Sequence, residues 1–407
     1  MYRKFTADRI FTGKDFLPAE RVLVIDEQKS IVDIIGSEEA GDGIEVFKGI
    51  LCPGFINAHC HLELSHLRGV IPEKTGLVQF VQEVMTKREP SLQQLGGFED
   101  LEQQKERKLL AMETAIDELY ESGTIAIGDI CNTTDSIAVK KAGKLLFHNF
   151  IEVSGFTDAA AIGRLEKINP IFQEFLSVSA EHTTLSPHAP YSVSKTLFGA
   201  LNDLTPNQLI TIHNQESNAE DKLYRNKSGG FLQLYENFGI DISGFVATGK
   251  STLQSWLPYF NKRQSILIVH NTFIGKDDLN FISKIRPGVL NQIHYCICIN
   301  ANKYIEDVVP PLELLRANHD NIVLGTDSYA SNWQLNLFEE IKAIQAEAAY
   351  NFTLHEVLQW ATFNGAKALS MEDKLGSFDR GKQPGVVLIE NVKDLQLTPG
   401  SFARRII

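Results

Sequence analysis

The sequence predicts an α/β chain: a parallel (β/α)8 TIM-like barrel carrying a small β domain made from both termini. Three observations predict it. Eight short apolar, β-rich runs recur through the middle of the chain, longer amphipathic stretches with helical spacing separate most of them, and short β segments stand at the two ends. Terminal segments often lie close together in space, so the end pieces are expected to pair into one satellite sheet.

Taken in order, residues 1 to about 50 read as short strands broken by polar turns, with Arg21–Asp26 and Ser30–Gly36 the clearest. The first barrel strand climbs out of the Pro53-Gly54 turn and runs through Phe55-Ile56-Asn57-Ala58-His59-Cys60-His61. The next strands are expected at 124–130, 145–153, 183–188, 208–213, 265–270, 292–298 and 321–327. Helices are expected at 102–121, 133–143, 159–176, 275–285 and 335–348. The stretch from Ser217 to Gln264 is long for one crossover and reads as a helical insertion over the barrel mouth, where lids and specificity loops belong. Gly385–Glu390 and Arg404–Ile407 supply the C-terminal β pieces.

Composition narrows the function. The chain has 407 residues, 43% of them hydrophobic and 22% charged, as in a soluble globular protein. A net charge of −12 does not suit a phosphate backbone, so neither nucleic acid nor an anionic membrane is an expected partner. The N-terminus lacks the apolar core of a signal peptide, and no apolar run is long enough to span a bilayer. The five cysteines (Cys52, Cys60, Cys131, Cys296, Cys298) are odd in number and lie in or beside apolar runs. A disulfide framework is therefore not expected, and a reducing, cytoplasmic setting is.

Chemistry is carried by the strand ends. His59 and His61 alternate on a strand, so both point the same way, about 6.6 to 7 Å apart along it. Three further runs end in His213, His270 and Asp327, and another ends at His188. In a (β/α)8 barrel all C-terminal strand ends meet at one face, which brings these distant residues to one site. Imidazoles with a carboxylate suit a borderline divalent ion, zinc or iron(II), and a water held by such an ion loses a proton near neutral pH. Asp327 could touch the metal and accept that proton. Glu216 stands three residues after His213 and can reach over a substrate as a proton shuttle; by itself it also fits a solvated loop glutamate. His270 suits orienting a water or polarising the substrate, and His188, in a Pro-rich loop, suits substrate contact. Glu63 and His66 fit a structural ion pair or hydrogen bond as well as substrate contact. His148, His182, His294, His319 and His355 match nothing and read as structural.

The segments Pro53–His61, Ser186-Pro187-His188-Ala189-Pro190-Tyr191, His213-Asn214-Gln215-Glu216, Val269-His270-Asn271 and Gly325–Asn332 together resemble the amidohydrolase superfamily, in order and spacing over nearly the whole chain. The likeness is strongest to the branch of cytosine and guanine deaminases, S-adenosylhomocysteine and aminodeoxyfutalosine deaminases, and triazine chlorohydrolases. That resemblance implies a distorted (β/α)8 barrel over 53–371 and a β-sandwich from residues 1–52 plus 372–407. It implies one divalent metal, zinc before iron, held by His59, His61, His213 and Asp327, with Glu216 and His270 as catalytic partners. The strand ending near His188 carries no lysine, so the carbamylated lysine of dinuclear members has no candidate and the site is expected to be mononuclear. Two departures stand out: Cys298-Ile299-Asn300-Ala301-Asn302 replaces a Cys-Pro-x-Ser/Ala-Asn turn, and Lys382-Gln383-Pro384-Gly385-Val386-Val387 replaces Lys-x-Ala-Asp-Leu-Val.

The function expected from this is hydrolytic deamination of an amino-substituted N-heterocycle, a small-molecule substrate, by a chain compatible with a homodimer. Triazine dechlorination or cyclic-amide opening of the imidazolonepropionase type would use the same site. A non-catalytic metal-binding protein of the same fold is the distant alternative.

Overall fold

The computed structural model describes residues 2–89, 98–318 and 321–407. Six short strands come first: β1 (Arg3–Thr6), β2 (Arg9–Ile10), β3 (Arg21–Ile25), β4 (Ile31–Gly36), β5 (Ile44–Val46) and β6 (Ile50–Cys52). Eight follow in the middle of the chain: β7 (Phe55–Cys60), β8 (Thr124–Cys131), β9 (Leu146–Val153), β10 (Thr183–Pro187), β11 (Leu209–Asn214), β12 (Ser265–His270), β13 (Ile293–Ile297) and β14 (Ile322–Leu324). The last two are β15 (Val387–Glu390) and β16 (Phe402–Arg405).

The middle strands form two four-stranded sheets, ordered β10-β9-β8-β7 and β11-β12-β13-β14, with every pairing parallel. Their residues are almost continuously buried, the pattern of parallel strands covered on both faces. Backbone hydrogen bonds also run between the two sheets. The amides of Thr326 and Asp327 donate to the His59 carbonyl, each at 3.1 Å, beside a parallel bridge between Cys60 and Asp327. At the opposite edges the His213 amide donates to the His188 carbonyl at 3.0 Å.

Close approach at these joints requires glycine. A Cβ on Gly325 would stand 2.9 Å from both the His59 Cβ and its carbonyl oxygen, and one on Gly128 would stand 2.3 Å from the Ala58 oxygen.

Helices separate the strands close to the expected places: Phe98–Glu121, Ile137–Lys141, Ala161–Val178, Lys276–Ile285 and Leu337–Ala346. The second is shorter than its amphipathic pattern: residues 133–136 form bends and a turn before it, and Gly143, at φ 73°, follows its C-terminal end. The 217–264 insertion is helical, with Asn218–Asn226, Gly230–Asn237 and Thr252–Trp256.

The termini also make two four-stranded sheets, β4-β3-β1-β5 and β16-β15-β6-β2. The second joins chain ends directly, since β15 pairs antiparallel with β6. Phe5, Leu23 and Ile25 of the first sheet pack with Ile10, Leu51 and Leu388 of the second in one buried apolar cluster. The Lys382–Val387 departure lies at the joint of these sheets with the parallel ones, where the Gly54 amide donates to the Pro384 carbonyl at 2.9 Å. All five cysteines are free and buried, as expected without a disulfide framework. Among the described residues no helix is long and apolar enough to cross a membrane.

Candidate active site

Strand ends deliver the functional side chains. His59 is the fifth residue of β7 and His61 lies just beyond it; His213 is the fifth residue of β11; His270 closes β12. Asp327 stands three residues past the end of β14, further out than the sequence suggests. Four non-glycine residues here have left-handed backbone, Gln215 (φ 45°), His270 (φ 71°), Asn271 (φ 57°) and Asp327 (φ 58°). Such conformations cost about 1–3 kcal/mol each and persist where the surrounding structure holds them.

The structure brings all the predicted ligands together. His61 Nε2 is 3.1 Å from His59 Nε2 and 3.2 Å from His213 Nε2. Asp327 Oδ1 lies 3.4 Å from His59 Nε2 and 3.3 Å from His61 Nε2. His59, His213, His270 and Asp327 each offer an atom within 4.8 Å of the others. Burial holds His61 and His213 well below the usual histidine pKa, so both are neutral and carry a lone pair. The His213 Nδ1 donates to the His188 carbonyl at 2.9 Å, which fixes the tautomer with the Nε2 lone pair facing the cluster. Neutral nitrogens facing one another do not hold themselves together. Ligand atoms about 2.0–2.2 Å from one tetrahedral divalent ion stand roughly 3.3 Å apart, and this donor set has that spacing. The residues fit a metal ion.

The surroundings hold these groups in place. Asp327 Oδ2 accepts from Ser331 Oγ at 2.5 Å, turning Oδ1 toward the histidines. The buried Asp129 carboxylate accepts the Leu62 amide at 3.0 Å, directly after His61, and is paired with the buried Lys140 at 2.6 Å. Asn302, within the departing 298–302 segment, accepts from His270 Nδ1 at 3.0 Å and donates to Thr272. Ile299 opens the helix Ile299–Ile305, and that helix carries Asn302.

Glu216 is 3% exposed, so it is not a solvated loop residue. Its Oε1 lies 3.6 Å from His270 Nε2, a nitrogen with no hydrogen-bond partner among the described residues. Burial, with the negative Asp327 adding to it, raises the Glu216 carboxyl well above the usual range, whereas burial pulls His270 down to about 4. Burial thus favours the protonated form of Glu216 and the neutral form of His270.

His61, His188, His213, Glu216, His270 and Asp327 all line one cavity of about 270 Å³, whose outer wall comes from the helix Leu77–Lys87 and from the insertion. Glu63 is structural, paired with Arg88 at 2.7 Å and accepting the Asn132 and Thr133 amides. His66 accordingly contacts the Arg88 carbonyl, at 3.2 Å. His148, His182, His294 and His355 do not line the cavity, and His319 lies outside the described residues. Sequence reasoning passed over Asn302, Ser331, Asp129 and Glu152. Asn302 stood inside a segment already marked as unusual; the others carry no local signal.

Imidazoles and a carboxylate at strand ends, with a buried carboxyl beside them in a cavity, are the chemistry of a metal-dependent hydrolase. The amidohydrolase family model matches residues 50–401, and this chain belongs to that family. Among similar proteins, the 5'-deoxyadenosine deaminase of Methanococcus vannielii is 26% identical over 412 residues, covering 96% of this chain and 86% of the relative. The 5-methylthioadenosine/S-adenosylhomocysteine deaminase of Teredinibacter turnerae is 27% identical, covering 86% of this chain and 73% of the relative. In fold, Helicobacter pylori aminofutalosine deaminase is similar with a TM-score of 0.78 at 22% identity, covering 98% of this chain and 94% of that one. A zinc-bound adenosine deaminase from Xanthomonas campestris gives 0.66 at 19%, covering 97% and 86%.

Proposed function

We propose that this chain is a hydrolytic deaminase of an amino-substituted N-heterocycle, of the 6-aminopurine nucleoside type. The observation that carries the reading is Glu216: a buried carboxyl in the cavity, its proton affinity raised by burial, beside a set of imidazoles and a carboxylate suited to a metal. The deaminase names of the relatives support it.

In this reading His59, His61, His213 and Asp327 hold one divalent ion, zinc, in keeping with the zinc-bound neighbour. When bound, the ion supplies Lewis acidity and lowers the pKa of a water at the site. His270, neutral and oriented through Nδ1 by Asn302, offers Nε2 to a proton of the attacking water. Asp327, turned by Ser331, shares that task. Glu216 donates its proton to the ring nitrogen next to the amino-bearing carbon, which makes that carbon electrophilic. Water adds its oxygen to the carbon as one of its protons passes to His270 or Asp327. That proton goes on to the amine, the carbon–nitrogen bond breaks and ammonia leaves, and the remaining hydroxyl proton returns to Glu216 while the ring nitrogen keeps the proton it received. His188 contacts the substrate. A buried acid is what an amine leaving group needs, and this favours deamination over loss of chloride.

The same reading takes the two parallel sheets, with their backbone joints at His59 and His188, as halves of one eight-stranded barrel over 53–371. It takes the two terminal sheets, with their shared apolar cluster, as a β-sandwich over 1–52 and 372–407.

The test is ammonia release from metal-loaded protein and from Glu216→Gln. The expected outcome is a fall of about 10²–10⁴-fold with metal content unchanged. Turnover that survives the substitution at full metal occupancy overturns the assignment.

A further inference from the structure

One carboxylate of the cavity has no place in that scheme. Glu152 is the penultimate residue of β9, in register with Ser186 of β10, so it stands beside the strand ends that bear His188 and His213. Its side chain is 9% exposed and lines the cavity. Its closest charged or ionisable contact is His213 Nδ1 at 4.0 Å, and that nitrogen is already bonded to the His188 carbonyl. Among the described residues no hydrogen bond reaches the Glu152 carboxylate. A buried carboxylate without donors is costly, and such a group in a cavity calls for donors from a ligand.

Glu152 and His188 lie with His213 inside a 4.8 Å cluster. A second metal is not what they suit, because the His213 nitrogen on that side is occupied and two donors remain. His188 can be taken further. Ser192 Oγ donates its proton to the Ala189 carbonyl at 3.0 Å, so it accepts from His188 Nδ1 at 2.6 Å. The free His188 Nε2 is then an acceptor. Glu152 and His188 both line the cavity, each with a ligand atom within 4.8 Å of the other, and the complement of two neighbouring acceptor groups is a pair of neighbouring donors. Beyond them the wall carries apolar side chains, Leu77, Phe80 and Val84 on one helix and Leu234 and Phe238 on the insertion, with Arg164 and the Glu63-paired Arg88 also lining the cavity.

We propose that Glu152, with His188, recognises a vicinal diol on the substrate and so selects an amino-heterocycle glycoside. This deepens the deaminase reading and rests on it. Glu152 also repels substrates with an anionic group at that position.

The experiment compares kcat/KM for 5'-deoxyadenosine and 2',3'-dideoxyadenosine in the metal-loaded wild type, Glu152→Ala and Glu152→Gln. The preference for the diol substrate should fall about 10- to 100-fold in Glu152→Ala, mainly through KM, and less in Glu152→Gln, which keeps one acceptor. Metal content is measured alongside. Equal losses on both substrates, or no loss, overturn the proposal. Calorimetric binding of purine riboside and its 2',3'-dideoxy counterpart reads diol recognition without amine release. A diol preference that Glu152→Ala abolishes, with no ammonia from any nucleoside, keeps this inference and removes the deaminase reading. No diol preference in wild-type binding overturns the inference whatever the turnover.

Discussion

Asn302 shows how one amide can set the chemistry of an imidazole. Its Oδ1 accepts from His270 Nδ1 while its Nδ2 donates to Thr272, so the amide cannot rotate without losing both bonds. His270 is thereby kept with its lone pair on Nε2, toward Glu216. Asn302→Ala should lower kcat about 10- to 100-fold with metal content unchanged, and single-turnover ammonia release measures it. The clustering of the histidines with Asp327 could be read in the sequence because each stands at or just past the end of an apolar run, and strand ends of parallel sheets can converge. Asn302 and Ser331 could not, because a hydrogen bond across tens of residues leaves no spacing to recognise. Glu152 was hidden for a different reason. A glutamate near a strand end looks solvated until the neighbouring strands are seen to enclose it.

At the scale of the element, the first helix of the insertion is fixed against the loop that carries Glu216. Ser217 caps Asn218–Asn226, and Glu220 returns a carboxylate to the amides of Gln215, Glu216 and Ser217, at 3.1, 2.7 and 3.3 Å. The cap therefore holds the backbone of Glu216 itself. Burial raises the Glu220 carboxyl to about 8, with its backbone hydrogen bonds opposing the rise. A carboxyl that binds its proton more tightly folded than unfolded favours the folded state at low pH. That contribution fades as pH climbs from about 4.5, its unfolded value, through about 8. Wild type should accordingly lose stability relative to Glu220→Gln across that window and match it more closely below; Tm measured against pH for both proteins tests this. The capping box Ser217-x-x-Glu220 was open to sequence reasoning as a helix start. Its use as a clamp on the catalytic loop depends on the enclosure that raises the carboxyl, which no local pattern shows.

For the whole molecule, the histidine–aspartate cluster proposed to hold the metal is where distant parts of the chain meet. His59 and Asp327 come from opposite ends of the parallel-strand region, and the backbone bonds from Thr326 and Asp327 to the His59 carbonyl join those ends. An ion bound there and absent from the unfolded chain stabilises the fold by about 4 kcal/mol at a thousandfold excess over its Kd. Chelation should lower Tm, and added zinc should restore it; a thermal melt before and after dialysis against chelator measures both. A melt unmoved by chelation would mean that the ion does not tie these strands together.

The sequence by itself determined the alternation of strands and helices, the pairing of β-rich ends, and the residues that close the strands. These follow from periodicity and from chemistry placed at the end of an apolar run, which are properties of neighbours along the chain. Only the tertiary structure decided which of those residues touch. It buried Glu216 and Glu152 against one cavity, shortened the helix before β9, and placed Asp327 past the end of its strand. Proton affinity and hydrogen-bond vacancy depend on what surrounds a group in space. They become definite only when strands far apart in sequence stand side by side.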